Sequence, residues 1–154
     1  MTLTLTSPAF ADGERIPDKY ARDGENLFPP IRWSGAPDGV RSYMLIVEDP
    51  DAPNGLFRHC AITNIPADAD GLPQSVDTAP DWTSLKYAKN DFGNAGYDGP
   101  QPPEGHGVHH YHFRLAALDV PKLDLPVQVG ADRLWQEASK HALAKADLVG
   151  TYER

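Results

Sequence analysis

A chain of 154 residues that is 40% hydrophobic can close one core and is short for two, so a single domain over 1–154 is expected. Fourteen basic against twenty-two acidic side chains give a formal charge of −8, which repels phosphate backbones and anionic lipid surfaces and sets nucleic acid aside as a partner. Cys60 is the single cysteine, so no disulfide can form within the chain.

From the N-terminus, TLTLTSPAF (2–10) alternates like an exposed edge strand and breaks at Pro8. MTLTLTSPAF lacks the basic start and the run of roughly 7–15 apolar residues of a secretory signal, and a cytoplasmic protein is expected. No stretch approaches the ~20 apolar residues that span a bilayer. DGERIP, DGENLFPP, SGAPDG and DPDAPNG each carry turn chemistry. Between them RSYMLIVED (41–49) is almost continuously apolar, the pattern of a strand covered on both faces, and is expected at the centre of its sheet. HCAITNIP (59–66) is a second β-prone run, ended by Pro66, and YHFRLAALDV (111–120) is a third. Strands and turns recurring in this way predict an antiparallel β-sandwich. In ADRLWQEASKHALAKA (131–146) the period changes: Leu134, Trp135, Ala138 and Ala142 lie along one side, with Asp132 available as N-cap. This predicts one C-terminal helix, beside short helical turns, with DLVGTYER (147–154) as a closing strand.

Three places carry chemistry. In EDPDAPNG (48–55) each proline pushes the preceding residue out of the helical region, so Asp49 and Ala52 are extended and the carboxylates of Asp49 and Asp51 stand at the end of the buried strand. Asp-Pro and Asn-Gly are also ordinary turn formers, and the pattern alone decides nothing. His59 opens the next strand, near enough for the loop to fold its imidazole back toward these carboxylates, while Cys60 beside it is expected to face the other way. The third is GPQPPEGHGVHHYHF (99–113). If 108–116 is a strand, His109, Tyr111, Phe113 and Leu115 share the inward face, and His110, His112 and Arg114 share the outward one. His109 and Tyr111 then sit at the mouth of the core. The glycines and prolines upstream make either a rigid surface loop or a concave array of N–H groups for a small anion. His110 and His112, with His106 nearby, could hold a metal, but no cysteine or acidic third ligand is in reach, so a solvated edge and no metal or other cofactor are expected.

DPDAP followed by His59, and GPQPPEG followed by HHYHF, together resemble the phosphatidylethanolamine-binding protein family in its bacterial and archaeal, Raf-kinase-inhibitor-like branch. SPAFADGERIP, FPPIRWSGAP, NDFGNAGYDGP and LVGTYER extend the likeness almost end to end. The resemblance implies an antiparallel β-sandwich with a small anion pocket at one end. In that pocket Asp49 and Asp51 belong to the first motif, His59 follows it, Pro102 and Pro103 form the wall, and His109 and Tyr111 complete the ligand-binding set. It further implies phosphorylated head groups and related anions as ligands, kinase or peptidase inhibition by some members, and homodimers among bacterial relatives. Two positions depart from the family pattern: Cys60 stands where a large aromatic is expected, and His110 where an arginine is expected.

The function expected is capture of a small anion by hydrogen bonds from His59 and His109, with Tyr111 O–H and loop N–H groups completing the shell and Asp49 or Asp51 orienting one imidazole. No catalytic residue is assigned, because there is no G-x-S-x-G elbow and Cys60 is not placed as a nucleophile. Two alternatives stay open: an Asp/His hydrolase, with or without metal, and an interaction protein whose pocket takes a phosphorylated or acidic side chain of a partner.

Overall fold

The computed structural model describes residues 2–154. In chain order its strands are β1 (Thr4–Thr6), β2 (Ile31–Ser34), β3 (Ser42–Asp49), β4 (Phe57–Pro66), β5 (Gly71–Leu72), β6 (Lys86–Tyr87), β7 (His109–Leu118) and β8 (Ala142–Tyr152), with one helix, α1 (Ala131–Lys140), and three short 3-10 turns. The apolar run at 42–49 is buried along its whole length and lies in the middle of a five-stranded antiparallel sheet, β6-β4-β3-β7-β8. Alternation sends its two faces to different cores. Tyr43, Leu45 and Val47 pack between this sheet and a three-stranded one, β1-β2-β5, while Met44 and Ile46 pack under α1. An aromatic contact joins the two sheets, Trp33 against Tyr43 at 5.1 Å between ring centroids, and Phe10 from the segment after β1 packs on Phe113 at 5.7 Å.

The expected edge strand is β1, where Leu5 is buried between exposed threonines. The C-terminal helix is shorter than its apolar spacing predicts. It starts at Ala131, capped by Gly130 at φ +93° rather than by a side chain, and Asp132 in its first turn instead meets Arg58 on β4. It stops at Lys140, because Ala142 onward forms the eleven-residue strand β8, ten residues of which pair with β7. In ALAKAD Leu143, Lys145 and Asp147 are exposed while Ala144 and Ala146 pack on the core. A period of two was therefore hidden in residues with good helix propensity, and the ladder outweighs that propensity.

Candidate functional site

Across β3 and β4, Val47 pairs with Cys60 but Glu48 pairs with Arg58, which leaves His59 as an extra residue in β4. A bulge of this kind re-aims side chains. Here it puts His59 on the same side as Cys60, not the opposite side that strict alternation predicts, and leaves Arg58 to the outer face. Cys60 drops into the core between the sheets and His59 turns into a cavity at the strand ends. His59 is the third residue of β4 rather than its opening one.

The ring of His59 is clasped by Phe57, Phe92 and Tyr111, at centroid distances of 5.0, 5.6 and 5.2 Å. Its Nδ1 lies 2.8 Å from the carbonyl oxygen of Asp98, which can only accept, so Nδ1 carries the proton and Nε2 is bare in the neutral ring. The Asp98 N–H returns a bond to the His59 carbonyl at 3.1 Å. Asp98 is itself immobilised: Oδ1 accepts from Asn26 Nδ2 (2.9 Å), and Oδ2 accepts from Asn90 and Asn94 Nδ2 (2.8 Å each). At Gly99 the chain runs so close to residue 20 that a β-carbon would stand 1.9 Å from the Tyr20 carbonyl oxygen. Only glycine fits this wall of the site.

On the other side of Tyr111, at the end of β3, Asp49 Oδ2 accepts from His109 Nδ1 at 2.6 Å. Its Oδ1 accepts the Asp51 N–H at 2.8 Å, an Asx turn that directs the loop. Asp49, His59, His109 and Tyr111 line a cavity of about 160 Å³ with Pro102, Pro103, Phe57, Phe92 and Gln101 around its rim. Asp51 belongs to the motif but not to the cavity: its side chain is 40% exposed and accepts from the N–H of His110 at 2.9 Å, with His110 Nδ1 at 2.7 Å. Several N–H positions of the Gly- and Pro-rich loop are closed to an anion. Proline supplies no N–H at 102 and 103, and the N–H groups of Gly99, Gly105 and His106 already donate to Asn26, Arg154 and Pro103. Among the described residues no three His, Cys, Asp or Glu side chains converge as a metal ligand set. His110 is turned to Asp51, and His106 Nδ1 is turned to His109 Nε2 at 2.6 Å.

Burial holds the His59 imidazole below its ordinary pKa of 6.5, although the Asp98 carbonyl and Asp49 pull the other way. The Asp98 carboxyl is held below its ordinary 3.8: burial acts to raise it, but the amides of Asn94, Asn26 and Asn90 and the Arg22 guanidinium outweigh burial. For both groups the unfolded chain binds the proton more readily. Their stability contributions are present above 6.5 and 3.8 and are lost as pH falls through and below those values. Urea unfolding is therefore expected to show a plateau above neutrality, a first loss beginning near pH 6.5 and a second near pH 3.8. A midpoint unchanged from about pH 7.5 to 5 would contradict the burial of a neutral His59. Burial, with the Asp49 and Asp51 carboxylates nearby, also drives the Tyr111 phenol far above its ordinary value, so it remains an O–H.

A family model described as phosphatidylethanolamine-binding protein matches residues 6–153. The chain belongs to this family. Within it, a UPF0098 protein of Methanothermobacter thermautotrophicus is 43% identical over 155 residues, covering 99% of both chains. A UPF0098 protein of Aquifex aeolicus is 39% identical over 152 residues, covering 99% of this chain and 89% of its own. LppC of Mycobacterium tuberculosis, which carries a lipoprotein's name, is 40% identical over 98% of this chain and 72% of its own. Among solved structures, Escherichia coli YbcL, described as a new member of the mammalian family, superposes with a TM-score of 0.93 at 30% identity, covering 100% of this chain and 99% of its own. A Chlamydia trachomatis homologue superposes with a TM-score of 0.87 at 34% identity, covering 99% and 98%.

The two departures from the family pattern fall outside the cavity of this family member. Cys60 is fully buried in the core, where desolvation pushes its thiol well above the ordinary pKa and keeps it protonated. His110 points out to Asp51. No helix among the described residues is long and apolar enough to cross a membrane. Two contributors escaped the sequence, Asp98 and the aromatic pair Phe57 and Phe92, and His106 entered it only as a possible metal ligand and not as a partner of His109. The signals available for them were faint. Asn90, Asn94 and Asp98 share one short stretch rich in turn residues, and His106 stands between two glycines.

Proposed function

We propose that the cavity receives a small phosphorylated or otherwise doubly charged anion and that the protein is a binding module. The observation that carries this reading is the convergence of two imidazoles on one Tyr111 ring, in a cavity of about 160 Å³. His59 and His109 stand 5.2 and 6.5 Å from that ring, and each Nδ1 is committed to a protein acceptor. On each ring Nε2 is the nitrogen that this acceptor does not hold; on His109 it meets His106 Nδ1 at 2.6 Å. Nε2–H bonds to an anion are charge-assisted, about 1.5–3 kcal/mol each. Against an overall charge of −8 they act locally.

Because His59 is neutral in the empty site, an anion at Nε2 draws a proton with it, and affinity should rise as pH falls. Sulfate, whose charge is constant over the range, separates this effect from the titration of phosphate. Sulfate affinity is expected to climb by up to about tenfold per pH unit on acidification below neutrality. Histidine ring signals followed by NMR during titration with inorganic phosphate, phosphorylethanolamine and sulfate locate the ligand. Silence at both His59 and His109 at millimolar anion defeats the reading. Turnover of a generic phosphoester or peptide by the protein would favour the hydrolase alternative. Competition between free phosphate and a phosphorylated kinase or peptidase segment would extend the same site to a regulatory partner. A cytoplasmic place of action is part of the proposal, supported by a lone cysteine buried where no disulfide forms.

A further inference from the structure

His106 is not in the cavity wall, yet its Nδ1 lies 2.6 Å from His109 Nε2, the ring nitrogen that Asp49 leaves free. The two rings meet edge to face, with centroids 4.9 Å apart. His109 is buried and His106 is exposed. The turn carrying His106 is held by its own N–H to the Pro103 carbonyl (3.1 Å) and by the Gly105 N–H to the Arg154 carbonyl (3.0 Å). Gly105 and Gly107, at φ +72° and +94°, supply a backbone path that other residues rarely adopt. The imidazole is thus presented to His109 from a tight turn outside the sheet, with solvent on its far side.

One proton serves the line between the two rings. Either His106 Nδ1–H donates to a bare His109 Nε2, or His109 Nε2–H donates to a bare His106 Nδ1. An anion at His109 needs that Nε2–H aimed at itself, and the position is occupied. We propose that His106 is a positioning residue that competes with the anion for His109 Nε2, so that a ligand engages His109 only by displacing it. This rests on the anion-binding reading above.

The pair is faced by several other charged or titratable groups: Asp49 from β3, His59 from β4 across Tyr111, Asp51 and Arg154 near enough to act on the Tyr111 hydroxyl, and Glu104 in the same turn.

The experiment compares wild type, His106→Ala and His106→Asn, with sulfate and inorganic phosphate titrated by calorimetry from about pH 8 to 6 and His109 ring nitrogen shifts recorded in parallel. His106→Ala is expected to bind both anions roughly three- to tenfold more tightly, the equivalent of one hydrogen bond no longer competed for, with a larger anion-induced shift at His109 Nε2. Asn places an amide where Nδ1 stood, so His106→Asn should return affinity near pH 7 toward wild type. Equal or weaker binding by His106→Ala, with the His59 signals still responding, overturns the competition and leaves the anion pocket standing. If neither anion moves His59 or His109 in any of the three proteins, the competition falls together with the reading beneath it.

Discussion

Asp98→Asn is expected to destabilise the protein by about 3 kcal/mol, the sum of a lost charge-assisted bond and a buried donor left without an acceptor. The carboxylate takes three amide donors at 2.8–2.9 Å, and two of the asparagines, Asn26 on Oδ1 and Asn90 on Oδ2, cannot simply turn over. Asn26 Oδ1 accepts the Gly99 N–H at 2.7 Å, and Asn90 Oδ1 accepts the N–H groups of Phe92 and Asn94. An amide at position 98 must therefore aim its own NH2 at one of these donors. Asn26, held at φ +58°, adds a backbone conformation that the cluster maintains. Urea unfolding of the variant checks the magnitude. Loss below about 0.5 kcal/mol would mean that water replaces the carboxylate at no cost and that the cluster does not hold the wall. Because the Asp98 main chain grips His59 from both sides, weaker anion binding should accompany the loss of stability.

His59→Asn should lower phosphate affinity roughly ten- to hundredfold while leaving the protein folded, since one charge-assisted bond accounts for about 1.5–3 kcal/mol. Asn is chosen for its geometry. Its Nδ2 replaces the Nδ1–H that donates to the Asp98 carbonyl, so no buried acceptor is orphaned, while Nε2 is deleted. The missing half-ring loosens contact with Phe57, Phe92 and Tyr111, at a cost of about 1 kcal/mol in the core. The same variant should lose the stability step that begins near pH 6.5. Phosphate binding at wild-type strength would remove His59 from the site, whatever His109 does.

Beyond these two residues, the contributors divide by the range of the interactions that place them. Period-two alternation places His109, Tyr111, Phe113 and Leu115 together because the direction of a side chain on a regular strand follows from its neighbours alone, and all four are buried. The same rule misplaces His59 relative to Cys60, since the bulge arises from a mismatch between β4 and its partner β3 and cannot be read from either strand alone. Asp49 and Asp51 are equivalent as sequence, two carboxylates flanking one proline. They separate only when β7 arrives to offer the His109 Nδ1–H to one and the His110 N–H to the other.

The sequence by itself determined the central strand, the antiparallel sandwich, the family and the faces of β7, because apolar runs, alternation and joint motifs are local or ordered along the chain. Only tertiary structure decided which imidazole nitrogens remain for a ligand, that Asp98 anchors His59, that His106 reaches His109, and that residues 142–146 leave the helix for an edge strand. Each of these depends on a partner far away in the chain or on a competing hydrogen-bond acceptor, and a backbone or imidazole N–H takes whichever acceptor the assembled fold brings within about 3 Å.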